Sequence, residues 1–350
     1  MNRFSKQIKL EGFGTKAQDK LARACVLVIG AGGLGCPAIT YLASAGVGTL
    51  GIIDHDLVEE SNLPRQPLYI SNDIGKAKVA IASEKAQNLN PDAKILTWQT
   101  KLTPSNALEI IKDFHLILDC TDNYEARYLI NDACVILDKP WVYGAVEAWE
   151  GQLATFNFLQ SDSTKTPTYR CIFSEPDLEA LSCDDLGVIG TMPGTVGILQ
   201  ANEAIKAITG VGKVTNGLLL INLQTNSFQT IKIPRNEEAI SKIKTLKTDY
   251  SGLGNVVPDQ ITIQEIQSNR DKYYIIDIRE EYELDEKPFP IANAHVLVGN
   301  LIQNGFDFQG DISYVLACAT GVRSLQTAKK LKEINPHIAI LSLINGIREQ

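Results

Sequence analysis

Ala24-Cys25-Val26-Leu27-Val28-Ile29-Gly30-Ala31-Gly32-Gly33-Leu34-Gly35 is the stretch that decides the fold. Its first six residues are an unbroken apolar run, the pattern of a strand buried on both faces. Gly30 to Gly35 then fits G-x-G-x-x-G, and a helical pattern follows over about 34–45. Leu50-Gly51-Ile52-Ile53-Asp54 predicts the next strand. Strand, turn, helix and strand in this order make a βαβ unit, the repeat of a parallel sheet. Glycine in the turn lets the backbone approach a phosphate and lets helix and strand pack closely. Asp54 ends the second strand, where a carboxylate binds ribose hydroxyls. Gly30, Gly32, Gly33, Gly35 and Asp54 are therefore candidate nucleotide ligands. Alone, the turn says only nucleotide, most often a dinucleotide, or a packing turn without ligand.

Outward from this unit the same alternation continues. Further strands are expected at 94–97, 116–119 and 141–144, with helices at 74–88 and 123–137 between them. Residues 1–23 read as a short helical or irregular arm. Strands at 152–158 and 217–221 suggest a later antiparallel section, and 192–209 is helical in pattern with Pro193 near its start. The stretch 234–258 is rich in Lys, Glu, Ser and Gly and reads as a linker. Beyond it, strands at 274–277, 314–317 and 338–343 with helices around Gln264 and 326–333 predict a second, smaller α/β unit. The expected division is a first domain over 1–240, a linker over 241–258 and a second domain over 259–350.

The 350 residues are enough for two such domains. A net charge of −8 argues against a duplex nucleic-acid binder, which needs clustered cations. No run of about 18 apolar residues suggests a membrane span, and no apolar signal core follows Met1. Seven cysteines without a pairing pattern point to a reducing cytoplasm. Of these, Cys25, Cys36, Cys120 and Cys134 lie in strand or helix patterns and are expected in the core.

A dinucleotide oxidoreductase would need a hydride-transfer site, and His55, His115, His295 and His337 carry no motif. The residues after Asp54 point elsewhere. They read Asp54-His55-Asp56-Leu57-Val58-Glu59-Glu60-Ser61-Asn62-Leu63-Pro64-Arg65-Gln66, then Gly75-Lys76-Ala77-Lys78, then Asp119-Cys120-Thr121-Asp122-Asn123 at a strand end. Taken in order over about residues 3–235, this set resembles the ubiquitin-activating-enzyme superfamily, closest to the bacterial molybdopterin-synthase and thiazole-biosynthesis adenylyltransferases. The resemblance implies a Rossmann-like adenylation domain with a mixed sheet, and a carboxylate attacking the α-phosphate of ATP. An anion meeting a polyanion needs fixed positive charge, for which Arg65 and Lys78 are the candidates. By the same resemblance Asp122 holds Mg2+, Asp54 binds the ribose and Asn62 orients the phosphates. An N-terminal arginine of the family reaches into the partner subunit's ATP site; Lys6 stands at that place here, keeping the charge but not the bidentate fork. A homodimer is implied by the family alone.

Ser182-Cys183-Asp184-Asp185-Leu186-Gly187 resembles the loop bearing the family's reactive cysteine, which makes Cys183 a candidate to attack the acyl-adenylate or relay a carrier. The zinc of the family sits between two Cys-x-x-Cys pairs. Thr168-Tyr169-Arg170-Cys171 retains one cysteine of the first pair, and Pro234-Arg235-Asn236-Glu237 stands where the second is expected. No structural zinc is therefore expected. The second domain resembles a rhodanese: Asp277-Ile278-Arg279 with Glu283 fits its first motif, and Cys318-Ala319-Thr320-Gly321-Val322-Arg323-Ser324 fits its active loop. Loop amides and a following helix would favour an anionic sulfur at Cys318, with Arg323 closing the ring. A phosphatase-type loop has one more residue before its arginine. Asn293 and Asn345 replace usual glycines, which leaves open a domain that only binds.

The resemblance implies ATP-dependent adenylation of the C-terminal glycine carboxylate of a ubiquitin-like sulfur-carrier protein ending in Gly-Gly. Sulfur then passes from a Cys318 persulfide, charged by a donor such as a cysteine desulfurase, to give a thiocarboxylate. The molybdopterin, thiamine and tRNA-thiolation pathways all use such a step. The alternatives are a nucleotide-binding oxidoreductase and a non-catalytic carrier-protein scaffold.

Overall fold

The structure is a computed structural model and describes residues 3–174, 187–250, 259–303, 306, 308–309, 312–335 and 337–347. These fall into two compact units, one ending with Tyr250 and the other beginning at Asp259. Cys183 lies outside the described residues.

The first unit begins with helices α1 (Ser5–Ile8) and α2 (Gly14–Arg23), then runs β1 (Cys25–Ile29), α3 (Gly35–Ala45), β2 (Thr49–Ile53), α4 (Lys78–Leu89), β3 (Lys94–Trp98), α5 (Ala107–Ile111), β4 (Leu116–Asp119), α6 (Tyr124–Ile136) and β5 (Trp141–Glu147). An antiparallel extension follows: β6 (Glu150–Phe156), α7 (Thr191–Thr209), β7 (Leu218–Asn222), β8 (Ser227–Ile231) and α8 (Glu237–Ser241). The eight strands form one mixed sheet in the order β3-β2-β1-β4-β5-β6-β7-β8, parallel from β3 to β5 and antiparallel beyond. Val26, Leu27 and Val28 are fully buried, as their apolar run requires, because helices cover both faces of a parallel sheet. β1 lies between β2 and β4, so the strand order reverses direction at the glycine turn and leaves a crevice at the strand ends.

Two local expectations shift. The helix expected from 74 starts at Lys78: residues Ser71–Asp73 form a 3-10 turn, Asp73 accepts the Ile70 N–H, and Gly75 takes a φ of +83° that ends any continuation. The stretch read as a linker from 234 is ordered on the first unit as far as Tyr250. Asn236 caps α8 by accepting the Ala239 N–H, and Tyr250 is buried. Cys36, Cys120 and Cys134 are in the core, whereas Cys25 is half-buried. Burial pushes the Cys36 thiol up to about 12, so it stays protonated.

The second unit is β9 (Asp259–Ile261), α9 (Ile263–Ser268), β10 (Tyr273–Asp277), α10 (Glu281–Glu286), β11 (Ala294–His295), α11 (Val298–Gln303), β12 (Ser313–Ala317), α12 (Val322–Ile334) and β13 (Ile340–Leu343). Its five strands form a parallel sheet in the order β11-β10-β12-β13-β9. Among the described residues no helix is long and apolar enough to cross a membrane.

Candidate active site

A cavity of about 960 Å³ opens at the C-terminal ends of β1, β2 and β4. The glycine turn forms its floor. Gly30 has φ +94°, and a Cβ there would fall 2.6 Å from the Cys120 carbonyl oxygen. A Cβ on Gly35 would fall 2.0 Å from the Gly30 carbonyl oxygen, so the turn closes only with glycine at both ends. Asp54 fastens the turn. Its carboxylate accepts the Ala31 N–H at 2.7 Å and the Asp56 N–H at 2.8 Å, tying the end of β2 to the start of the turn after β1.

Gly30, Gly32, Gly33, Asp54, Arg65, Lys78 and Asp122 all line this one cavity. Lys78 opens α4 and is buried, its ammonium 2.9 Å from Asp56 Oδ2. Arg65 is held by donating from Nη1 to the Ser61 carbonyl at 2.7 Å. Asp122 is exposed at the rim, just before α6. Gly35, Asn62 and Lys6 do not line the cavity. Asn62 is buried, and its side-chain oxygen accepts the Glu59 N–H at 3.2 Å, which shapes the turn leading to Arg65. Lys6 is exposed on α1.

Three further groups escaped the sequence reading. Gln66 is buried beside the glycine turn, and its Oε1 has no hydrogen-bond partner among the described residues. An acceptor left unpartnered beside a cavity is a site awaiting a donor. Its position next to Arg65 was the available signal. Arg127 lines the cavity from α6, its guanidinium carbon 5.0 Å from the Tyr124 ring centre and 5.6 Å from that of Tyr143. Asp119, fully buried at the end of β4, accepts from both the Thr121 N–H at 3.0 Å and its hydroxyl at 2.6 Å. It thereby shapes the turn that carries Asp122. Burial pushes its carboxyl up to about 6 against the pull of Arg127.

Metal-ligating atoms of Asp54, His55 and Asp56 lie within 4.8 Å of one another, but the first carboxylate is taken by backbone amides and the last by Lys78. A single exposed carboxylate with phosphate oxygens and water suits Mg2+, so Asp122 fits that ion. The zinc position does not fit. The Cys171 sulfur accepts the Thr168 N–H at 3.4 Å and the Asn236 N–H at 3.3 Å, and lies 3.3 Å from the Thr168 hydroxyl. Hydrogen bonds thus join the two segments that a metal would join, and one thiolate cannot supply a tetrahedral site.

In the second unit Cys318 follows β12 and is 1% exposed. Its sulfur accepts the Gly321 N–H at 3.2 Å and the Ser324 N–H at 3.3 Å, at the N-terminus of the 13-residue α12. The thiol in turn lies 3.5 Å from the Ser324 hydroxyl, to which it donates. Arg323 donates to Glu283 Oε2 at 2.8 Å, and this pair helps hold the Glu283 carboxyl below its ordinary range against the opposing effect of burial. Asp277 and Arg279 form a buried pair, Nη2 to Oδ2 at 2.7 Å. The two asparagines have local work: Asn345 sits at φ +58°, a region asparagine tolerates, and Asn293 accepts the Ile275 N–H at 2.8 Å.

A glycine turn at the reversal point of a parallel sheet, with a carboxylate at the end of the next strand and two cations over one cavity, defines a nucleotide-binding fold of the Rossmann type. The chain belongs to the ThiF family, whose model matches residues 4–241. The chain is similar to the sulfur carrier protein adenylyltransferase of Thermus thermophilus, 42% identical over 239 residues, covering 67% of this chain and 88% of that one. The similarity extends through the second unit in the probable adenylyltransferase/sulfurtransferase MoeZ of Mycobacterium tuberculosis, 37% identical over 349 residues and covering 95% of this chain and 88% of that one. Among solved structures, that of E. coli MccB with MccA-N7isoASN superposes with a TM-score of 0.60 at 21% identity, over 67% of this chain and 73% of that one, and shows the shared fold. The relatives uphold the expected class, an adenylyltransferase with a sulfurtransferase region.

Proposed function

We propose that the first domain, with the boundary expected near 240 moved to about 250, adenylates the C-terminal carboxylate of a ubiquitin-like sulfur-carrier protein ending in Gly-Gly. The observation that carries this reading is the meeting of Arg65, Lys78 and Asp122 over the glycine turn in one cavity. ATP phosphates lie on the turn amides, and Arg65 and Lys78 offset the repulsion as the carboxylate oxygen attacks the α-phosphorus. The bond to pyrophosphate breaks, and Mg2+ on Asp122 would shield the leaving group. Asp54 takes the ribose. Asn62 acts on the phosphates through the turn it shapes. Lys6 serves the neighbouring subunit of a homodimer.

The second, rhodanese-like domain supplies sulfur. A donor such as a cysteine desulfurase charges Cys318, and Arg323 completes the loop. The outer persulfide sulfur attacks the adenylated carbonyl and AMP leaves. A second thiol, a role that suits Cys183, then attacks the Cys318 sulfur, so that a new disulfide forms as the thiocarboxylate leaves, and an external thiol reduces that disulfide before the next turnover. The product would serve molybdopterin, thiamine or tRNA thiolation in the cytoplasm, without structural zinc. Carrier-dependent ATP–pyrophosphate exchange tests the reading: Arg65→Ala and Lys78→Ala should each cost on the order of 10²-fold. Exchange that survives both changes refutes it.

A further inference from the structure

The last described residues before the second unit are part of the nucleotide cavity: Thr248, Asp249 and Tyr250 line it together with Leu102, Thr103 and Leu129. Tyr250 belongs to the same apolar cluster as Ile29, Ile53 and Leu129, so its ring extends the floor laid by the ends of β1 and β2. Its hydroxyl is fixed twice, donating to Asp132 Oδ2 at 3.0 Å and accepting the Lys247 N–H at 3.2 Å. Asp132 is itself buried and bound bidentately by Arg170, at 2.7 and 2.9 Å. The guanidinium of Arg170 lies 4.8 Å over the Tyr128 ring. Burial first, and the neighbouring Asp132 carboxylate second, raise the Tyr250 hydroxyl, which therefore stays a donor.

The Asp132–Arg170 pair is complete without Tyr250, since each carboxylate oxygen already has a guanidinium N–H. The tyrosine adds a fastening, and what it fastens is the pair Thr248 and Asp249 at the cavity wall. The segment lines the cavity beside the apolar Leu102 and Leu129, whereas Arg65 and Lys78 mark the phosphate end. The segment therefore belongs to the nucleoside end.

We propose that residues 248–250 are a built-in wall of the nucleotide site, and that Tyr250 is a positioning residue for the nucleoside through its bond to Asp132. The proposal rests on the adenylation reading. In a chain whose second unit begins a few residues later, it also makes nucleotide occupancy felt at the start of the interdomain connection.

The test uses the full chain and a non-hydrolysable ATP analogue. Tyr250→Phe keeps the ring and removes both hydrogen bonds of the hydroxyl, to Asp132 and from the Lys247 N–H. It should raise the KM for ATP in pyrophosphate exchange by about fivefold or more, with kcat within about twofold. In the unaltered protein the analogue should slow amide exchange at 244–250. If the analogue binds but neither KM nor amide exchange responds, the wall is only a structural tie and the proposal is overturned, with adenylation left standing. If the unaltered protein binds no ATP analogue at all, both readings fall.

Discussion

Changing Gly32 to alanine separates the two jobs of the glycine turn. Gly35 cannot accept a methyl group: its Cβ would lie 2.0 Å from the Gly30 carbonyl oxygen, and only backbone movement relieves that. Gly32 can. Among the described residues beyond its chain neighbours, a Cβ there meets only Gln66 Nε2, at 3.6 Å, ordinary contact with the end of a flexible side chain. Because Gly32 lines the cavity, the methyl projects into the space assigned to phosphate. Gly32→Ala should therefore hold folding stability within about 1 kcal/mol, since alanine also lowers the entropy of the unfolded chain. Gly35→Ala should lose about 1–3 kcal/mol or more through overpacking. Nucleotide affinity should respond in the opposite order for the folded protein: Gly32→Ala loses on the order of 10²-fold, about 3 kcal/mol. Urea unfolding gives the first quantity and calorimetric titration with a non-hydrolysable ATP analogue the second. A folded Gly32→Ala protein that binds the analogue as tightly as its parent would refute the phosphate cradle. Unfolding of that variant would refute the steric argument.

Three other outcomes follow from the geometry. Asp119 titrates at about 6 when folded against an ordinary 3.8, so its stabilising protonated form is complete below about 4 and lost as pH rises through about 6. Asp119→Asn should therefore gain about 2 kcal/mol relative to the parent between pH 4 and pH 7 in urea unfolding, and parallel profiles would contradict the assignment. Cys318→Ala should abolish sulfur transfer from thiosulfate or a persulfide donor yet leave pyrophosphate exchange within about twofold; normal thiocarboxylate by mass spectrometry would make the second domain a docking module. Metal analysis should find no stoichiometric zinc, because the Cys171 sulfur is already hydrogen-bonded to Thr168 and Asn236; zinc whose chelation unfolds the chain would sink that view.

What was legible in the sequence is local. The apolar run into Gly30, the strand 116–119 and the glycines with Asp54 are periods and spacings within a few residues, and strand order then follows from right-handed crossovers. The site residues that line the cavity, Arg65 apart, were reachable because each sits at or beside a strand or helix end. The start of α4 was misplaced because the residues before it carry an apolar pattern, while Gly75 and the Asp73 turn act through conformation.

Part of what escaped depends on residues distant along the chain. Asp119 and Asp122 are near-identical to a reader of Asp-Cys-Thr-Asp, yet one is fully buried and the other exposed, a difference set by the sheet around β4 and not by the motif. Tyr250 lies in a stretch whose Lys, Ser and Gly content signals a solvated linker, and its partner Asp132 is 118 residues away. The same holds for Cys171 and Asn236, 65 residues apart: a reader of the sequence sees a missing metal pair, and only the folded chain shows the amide that reaches the remaining sulfur. For Tyr250 the buried hydroxyl needs a partner, because burial without one costs about 1–3 kcal/mol, and Asp132 supplies it. A buried polar side chain in an otherwise polar stretch is thus the feature that turns an apparent linker into a wall of the site.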